Sequence, residues 1–547
     1  MSSRRSSPQA NFLYALIRSG YLPSEIPPII TTKYFSDYCK NNFKYLKKNR
    51  KSLLKKVTKY NTFTSPKPNY GRRNLALVHP LSQLNLSIVV TENRKNIKEL
   101  IKKNNTSFYI FEEDINNNKA FKGLDFKGWK NRKNEIYSEY KYILKADISR
   151  FFYTAYTHSI PWAVIGKEKV KNYLCNNDRR LKKHWSSEID NGLQLCQSRE
   201  TFGIPVGPDL SRIIAEILMN GVENDKNFIE YANNKNIIRL VDDFLIGFND
   251  KDSAENALTN LRKSLWDYNL QLNEDKTYIT ESKFLYRDEW ELEFDLINVS
   301  NNIFYQEKEI LHLIDKTLFL CEKYNTGAPA HWACRRLSKL NNFHNNFFII
   351  IDGLLRLSRD YPSCTNHVAE FIINNKDICL SNDRHVEKIR SWIIYHLHQY
   401  FDQSKDFEIS WVLFVSGSLN IKIRDIDINY YDVMPDPIIF TIFGLLRENH
   451  VLDIPLSKWK WRKELRKNGL YSEYWLPFYE SVRRKWTSDQ KLIQSVKYDP
   501  VFSKMLNNNV TFLDNEIFTA GRIDVVGRRY SKYKYHVFKQ TKDDRYI

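Results

Sequence analysis

Residues 239–248 read RLVDDFLIGF, with Asp242 and Asp243 side by side between two apolar runs. Burying unpaired carboxylates is costly, so the pair must sit at a turn or hold a cation. A further acid, Asp147, ends the apolar run YILKAD and is followed by ISRFF. If these runs are strands, Asp147, Asp242 and Asp243 can converge on Mg2+, a hard cation that prefers a few carboxylate oxygens together with substrate phosphate. Two such ions, about 3.5–4 Å apart, can activate an attacking hydroxyl and stabilise a departing pyrophosphate. That chemistry is nucleotidyl transfer. For the Asp-Asp pair taken alone, the plain alternative is a polar turn.

Strands are needed to aim these acids. YKYILKADISRFF is apolar and β-rich before its acid, and NIIRLVDDFLIGF reads as strand, turn and strand with the acids at the hairpin tip. Between them, GPDLSRIIAEILMNGVEND spaces Ile213, Ile214, Ile217 and Leu218 as an amphipathic helix. SAENALTNLRKSLWDYNL predicts another, with Ala257, Leu258, Leu261, Leu265 and Trp266 on one side. Strand, helix, hairpin and helix make an α+β arrangement.

From about residue 305 the pattern is almost wholly helical. Val386, Ile389, Ile393, Leu397 and Tyr400 form one stripe and EILHLIDKTLFLCEKY carries another. Trp459, Trp461, Trp475 and Trp486 read as core or helix-packing residues rather than a base-stacking platform. The tail GRRYSKYKYHVFK alternates Arg528, Arg529, Lys532 and Lys534 with Tyr530, Tyr533 and Tyr535. It fits either phosphate contact with stacking or an edge strand.

Composition narrows the partners. The 547 residues carry 84 Lys plus Arg against 64 Asp plus Glu, a formal charge of +20, which favours a polyanion and above all nucleic acid. Seven scattered cysteines without a C-x-x-C pair suggest neither a disulfide framework nor a zinc site, and fit a reducing cytoplasm. The N-terminal apolar stretch is broken by Arg18 and Gly20, unlike a signal peptide. No run approaches the roughly 18 apolar residues of a membrane span, so no membrane partner is expected.

The ordered motifs of the middle zone resemble the palm of a reverse transcriptase. KADISRFF is similar to the family's first metal-binding motif, GIPVGPDLSR to its Gly-Pro-Gly motif, RLVDDFLIGF to its acid hairpin, and LQLNEDKT supplies Lys276 where the next motif stands. GYLPSEIPP, GRRNLALVHPLSQL and YTHSIPWAVIGK further resemble bacterial defence-associated reverse transcriptases, including the abortive-infection type. The resemblance covers about residues 11–295. It implies a right-hand polymerase fold with N-terminal helices and fingers over 1–130 and a palm over 131–295. A large all-α domain, open to a helical-repeat arrangement, follows over 300–547.

The same resemblance implies roles. Asp147 and Asp242 would be the principal Mg2+ ligands with the backbone of Ile148, Asp243 would assist, and Mn2+ is an alternative ion. Phe152 would be the steric gate against a ribose 2′-hydroxyl, favouring DNA synthesis; its plain alternative is core packing. Arg72 and Arg73 would clamp the triphosphate, or form a solvated basic loop. Lys276 would protonate the leaving pyrophosphate, or be a surface lysine. Gly203, Pro205 and Gly207 would let the chain pass close to template and nucleotide. His158 reads as structural.

The chain departs from the family's pattern at Val241, where many members carry Tyr or Phe, and at Val206, where Gln often stands. Both positions affect how primer end and nucleotide are held. The expected partners are dNTPs, an RNA template or noncoding RNA, a DNA product, and a homo-oligomer or second defence protein. Templated synthesis and template-independent or protein-primed synthesis both stay open. The alternatives are a catalytically idle nucleic-acid-binding scaffold and a retron or group II intron-like enzyme.

Overall fold

The computed structural model describes residues 7–102, 106–114, 120–300, 302–340, 343–400, 403, 405–424, 436–453, 461–519, 522–524 and 529–531. At its centre lies a four-stranded antiparallel sheet in the spatial order Ile237–Leu240, Asp243–Phe248, Tyr142–Asp147, Tyr278–Glu281. Side chains alternate across it. Leu144, Ala146, Ile237, Phe244 and Ile246 enter the main core, whereas Ile143, Ile238 and Leu245 pack with Ile136 of the helix Phe126–Glu139. Burial on both faces explains the uninterrupted apolar runs around the acids.

The helix Asp209–Glu223 buries Ile213, Ile214, Ile217 and Leu218 as expected, together with Glu216 and Glu223. The helix Lys251–Asp267 buries Ala257, Leu261 and Leu265, with Leu258 partly buried. Trp266 departs from the expected stripe and is 71% exposed. One residue is about 100° of helix turn, which carries its ring away from the face that Leu265 buries.

Ahead of the sheet, Asn61–Pro66 pairs antiparallel with Arg72–Leu77 in a hairpin. The helix Pro80–Glu92 follows, begun by Pro80 and capped by His79, whose Nδ1 accepts the Leu81 N–H at 3.3 Å. Beyond the sheet the chain is helical from Ile303, with two short strand pairs, of which the sequence pattern suggested only the tail strand Arg529–Ser531. Leu452–Asp453 lies parallel to Ile423–Arg424, and Arg522–Asp524 antiparallel to Arg529–Ser531.

In the helix Asp383–Tyr400, Ile389, Ile393, Leu397 and Tyr400 are buried, as the stripe implies. Trp461 and Trp475 are fully buried and Trp486 partly so. Trp459, Arg528, Lys532, Tyr533, Lys534 and Tyr535 lie outside the described residues. The helix Asp406–Leu419 is buried at every position and packs against the Asn61–Pro66 strand. The main apolar core draws on residues from Ala10 to Ile523, so the three sequence zones share it. All seven cysteines are free thiols. No described helix is long and apolar enough to cross a membrane.

Candidate active site

Strand register assembles the acids. Asp147 lies directly across from Asp243, Leu240 faces Asp243 on the other side, and Val241 and Asp242 close the turn between. Carboxylate oxygens of Asp147, Asp242 and Asp243 all lie within 4.8 Å of one another. Burial raises the pKa of Asp242, and the charge of Asp147 raises it further. Asp243 is pushed up to about 6 by burial and then by Asp242 and Asp147. Mutual repulsion among hard oxygen donors is what a divalent cation relieves, so the donor set fits Mg2+ or Mn2+.

Two neighbours hold Asp147. The main-chain N–H of Asn273 donates to its carbonyl at 2.7 Å, and Asn273 Nδ2 donates to Oδ2 at 3.3 Å. Lys276 Nζ stands 2.8 Å from the same Oδ2. That hydrogen bond raises the ammonium's pKa, against the opposing effect of desolvation. The N–H of Ile148 donates to the carbonyl of Asp242 at 3.3 Å, joining the two acid-bearing strands beyond their last paired residues.

Beneath the turn lies a charged cluster that sequence reasoning missed. Arg239, 1% exposed, donates from Nε to Glu223 at 2.7 Å and from Nη2 to Glu216 at 2.8 Å. Its Nη1 reaches the carbonyl of Val241 at 2.8 Å. Val241 itself has φ +63°, a left-handed conformation that a β-branched side chain strongly disfavours. Two glutamates seven residues apart on an apolar helix and an arginine inside an apolar strand were the available signal.

The glycine loop packs between this sheet and the first hairpin. Gly203 has φ +99° and donates to Ala155 O at 2.8 Å, while Ile204 donates to Phe152 O at 2.6 Å. Gly207 has φ +128°, and a Cβ there would lie 2.5 Å from Pro23 Cγ. Pro205 accepts from the Ser211 hydroxyl, and Val206 O accepts the Ala76 N–H at 2.8 Å. Phe152 is half-buried, edge-on to Phe151. His158 Nδ1 lies 2.6 Å from Asp190.

Arg72 departs from its expected place. Its guanidinium is held by Glu408 of the helical region, at 2.7 Å from Nη1 and 3.0 Å from Nη2, and also donates to Thr64. A fork paired with a fully buried carboxylate is not open to a triphosphate, so Arg72 joins the hairpin to the helices. Arg73 is exposed and borders a cleft beside the hairpin.

Residues 80–296 match the family model described as reverse transcriptase (RNA-dependent DNA polymerase). This stretch is a reverse transcriptase domain. It contains the acid triad, the glycine loop, the Arg239 cluster and Lys276; the Asn61–Leu77 hairpin and the helices beyond 296 lie outside the matched residues. No curated protein matches the chain. Solved structures that it resembles include apo telomerase from Candida tropicalis, at 12% identity and TM-score 0.31, covering 69% of this chain and 68% of that one. Telomerase from Candida tropicalis in complex with a fragment of telomeric RNA matches at 14% identity and TM-score 0.30, covering 71% and 65%. The corresponding Candida albicans complex matches at 15% identity and TM-score 0.26, covering 68% and 67%.

Proposed function

We propose that the chain synthesises DNA by nucleotidyl transfer from dNTPs in bacterial antiphage defence, with Asp147, Asp242 and Asp243 as the metal-holding residues. The observation that carries the reading is the strand register that places Asp147 opposite Asp243, with Asp242 at the adjoining turn. Divalent cations bound there would supply Lewis-acid activation of the attacking hydroxyl and charge compensation for the leaving pyrophosphate.

The protein's own groups do the rest. Asn273 fixes the backbone and side chain of Asp147. Lys276, kept protonated by Asp147, is the proton donor to the departing pyrophosphate. Phe152, anchored by the Gly203 loop, is the ring that screens the sugar's 2′ position. Gly203, Pro205 and Gly207 bring main chain close to the nucleotide, and Arg73 is the hairpin arginine left to meet its phosphates. The basic surface suits an RNA template and a DNA product. The defence role rests on the resemblance of GYLPSEIPP, GRRNLALVHPLSQL and YTHSIPWAVIGK to defence-associated enzymes.

Purified protein incubated with Mg2+ and each labelled dNTP, with and without RNase treatment, tests the chemistry. Polymeric DNA from wild type and none from Asp242→Asn is the expected result. Equal product from Asp242→Asn, or no product from wild type with any dNTP, overturns the polymerase reading and leaves the scaffold. Loss of product after RNase treatment assigns an RNA template, and persistence assigns untemplated synthesis. Phage plating on cells carrying wild type or Asp242→Asn tests the defence role.

A further inference from the structure

The helix Ile303–Lys323 has two apolar faces. One is buried, and its Ile310, Leu313, Leu320 and Cys321 enter the main core. The other looks outward, where Phe304 is 88%, Leu311 45% and Phe319 51% exposed. The outer stripe of a surface helix ordinarily carries polar side chains, and large apolar groups gathered there mark a surface that a partner covers. Asn302 Oδ1 accepts the Phe304 N–H at 3.0 Å, so the turn that carries this ring is capped.

At about 100° per residue, Phe304, Lys308, Leu311, Asp315 and Phe319 fall within about 80° of one another around the helix, along a stripe about 22 Å long. All five are exposed. The C-terminal end of the stripe is stiffened by the helix Glu289–Asp295, whose Glu293 pairs with Lys316 and Lys323 at 2.6 Å each. Lys316 Nζ in turn lies over the Phe319 ring, 4.7 Å from its centroid. Among the described residues neither Lys308 nor Asp315 has an ion-pair partner.

Along the stripe the order of chemistry is palindromic: aromatic, cation, aliphatic, anion, aromatic. Two copies laid antiparallel about a point between Leu311 and His312 set Lys308 of each opposite Asp315 of the other. The same placement brings Phe304 to Phe319 and the two Leu311 side chains together at the centre. We propose that the outer face of Ile303–Lys323 is a self-complementary interface, through which two copies of this chain pair antiparallel about a twofold axis. Such a contact is closed and makes each interaction twice. A polyanion is a poor occupant, because Lys308 is offset by Asp315 and Glu322 on this face of a chain whose formal charge is +20. The pairing goes beyond the polymerase reading and does not rest on it.

Sedimentation velocity of the full-length, nuclease-treated protein over about 1–100 µM tests the interface without asking for DNA synthesis. A monomer–dimer equilibrium is expected. Lys308→Asp and Asp315→Lys should each weaken it about tenfold or more, since each sets like charges opposite one another at two symmetry-related points. The double variant exchanges the two charges and should recover the wild-type affinity, which a general loss of fold or solubility would not allow. Leu311→Asp should remain monomeric across the range. Circular dichroism melts of all these variants should match wild type, because the substituted side chains are exposed. Asp242→Asn should pair like wild type, so that the interface and the polymerase reading fail separately. A wild-type monomer throughout the range overturns the proposal, as does a dimer unchanged in both Lys308→Asp and Leu311→Asp. A monomer whose affinity for a single-stranded oligonucleotide falls in Phe304→Asp also overturns it, since nucleic acid would then be what covers the face.

Discussion

Arg239 Nη1 donates to the carbonyl of Val241 at 2.8 Å, tying a buried guanidinium to the turn that carries Asp242. The same guanidinium pairs with both Glu216 and Glu223 on the helix behind the sheet. The acid turn is thus fixed by charge from below as well as by strand pairing. Removing one partner of a buried cluster strands the others, so Arg239→Met should lower unfolding free energy by about 3–5 kcal/mol. Urea denaturation reads this directly. Adding Glu216→Gln and Glu223→Gln should restore much of the loss, because no unpaired charge then remains; failure of the triple variant to recover would mean that geometry, not charge balance, dominates.

Val241 sits at φ +63°, where its branched Cβ is strained. Such strain costs about 1–3 kcal/mol, and glycine's entropic penalty is about 0.5–1 kcal/mol. Val241→Gly should therefore raise stability by about 1 kcal/mol, measured as a shift in the urea midpoint at unchanged slope. A loss of similar size would show that the valine's packing against the core outweighs its backbone strain.

Glu408 is wholly buried and holds both terminal nitrogens of Arg72, whose own side chain is 28% exposed. Glu408→Gln keeps the shape but surrenders the charge pair. The expected loss is about 1–3 kcal/mol, below the value for a fully buried pair because solvent reaches Arg72. Limited proteolysis should then cut the 67–71 turn faster than in wild type. Arg72→Lys should behave alike, since an ammonium cannot span both carboxylate oxygens. Unchanged cleavage in both would separate the hairpin's order from this pair.

The acid hairpin, the strand of Asp147 and the two palm helices were legible because each is a local pattern: apolar runs bounded by acids, or apolar residues at helical spacing. Their convergence, with Lys276 beside Asp147, came from ordered motifs rather than from any one stretch. Arg72 was misplaced because its partner is Glu408, 336 residues away, and no local pattern encodes so distant a pairing. Arg239 was overlooked since its counter-charges lie on another element, and Trp266 was assigned to the wrong face because helical spacing alone does not weigh the next residue's turn. Of the short strands of the helical region, two or three residues each, only Arg529–Ser531 falls in a stretch whose alternation suggested a strand; the others are too short for such a pattern to register.

The same interface carries a proton-linked stability. Asp406 accepts from the N–H and the hydroxyl of Thr64 at 2.8 and 3.0 Å, and Asp436 accepts from Asn61 Nδ2 at 2.7 Å. Burial, then the charge of Asp436, pushes Asp406 up to about 8, with the two Thr64 hydrogen bonds and then Arg72 opposing. Burial pushes Asp436 up to about 6. Both folded-state values exceed the ordinary 3.8, so the folded chain holds these protons more tightly than the unfolded chain does. The contribution to stability is therefore complete below about pH 4 and is lost as pH rises through about 6 and then about 8. Wild type should lose stability on the order of a few kcal/mol from this pair across that window. Asp406→Asn, which still accepts from Thr64 but cannot ionise, should flatten the decline between pH 6 and 8. Urea midpoints taken at half-unit intervals from pH 5 to 8.5 give the slopes. Parallel profiles for the two proteins would place the linkage elsewhere, because Asp406 is the group whose proton is held furthest into that range.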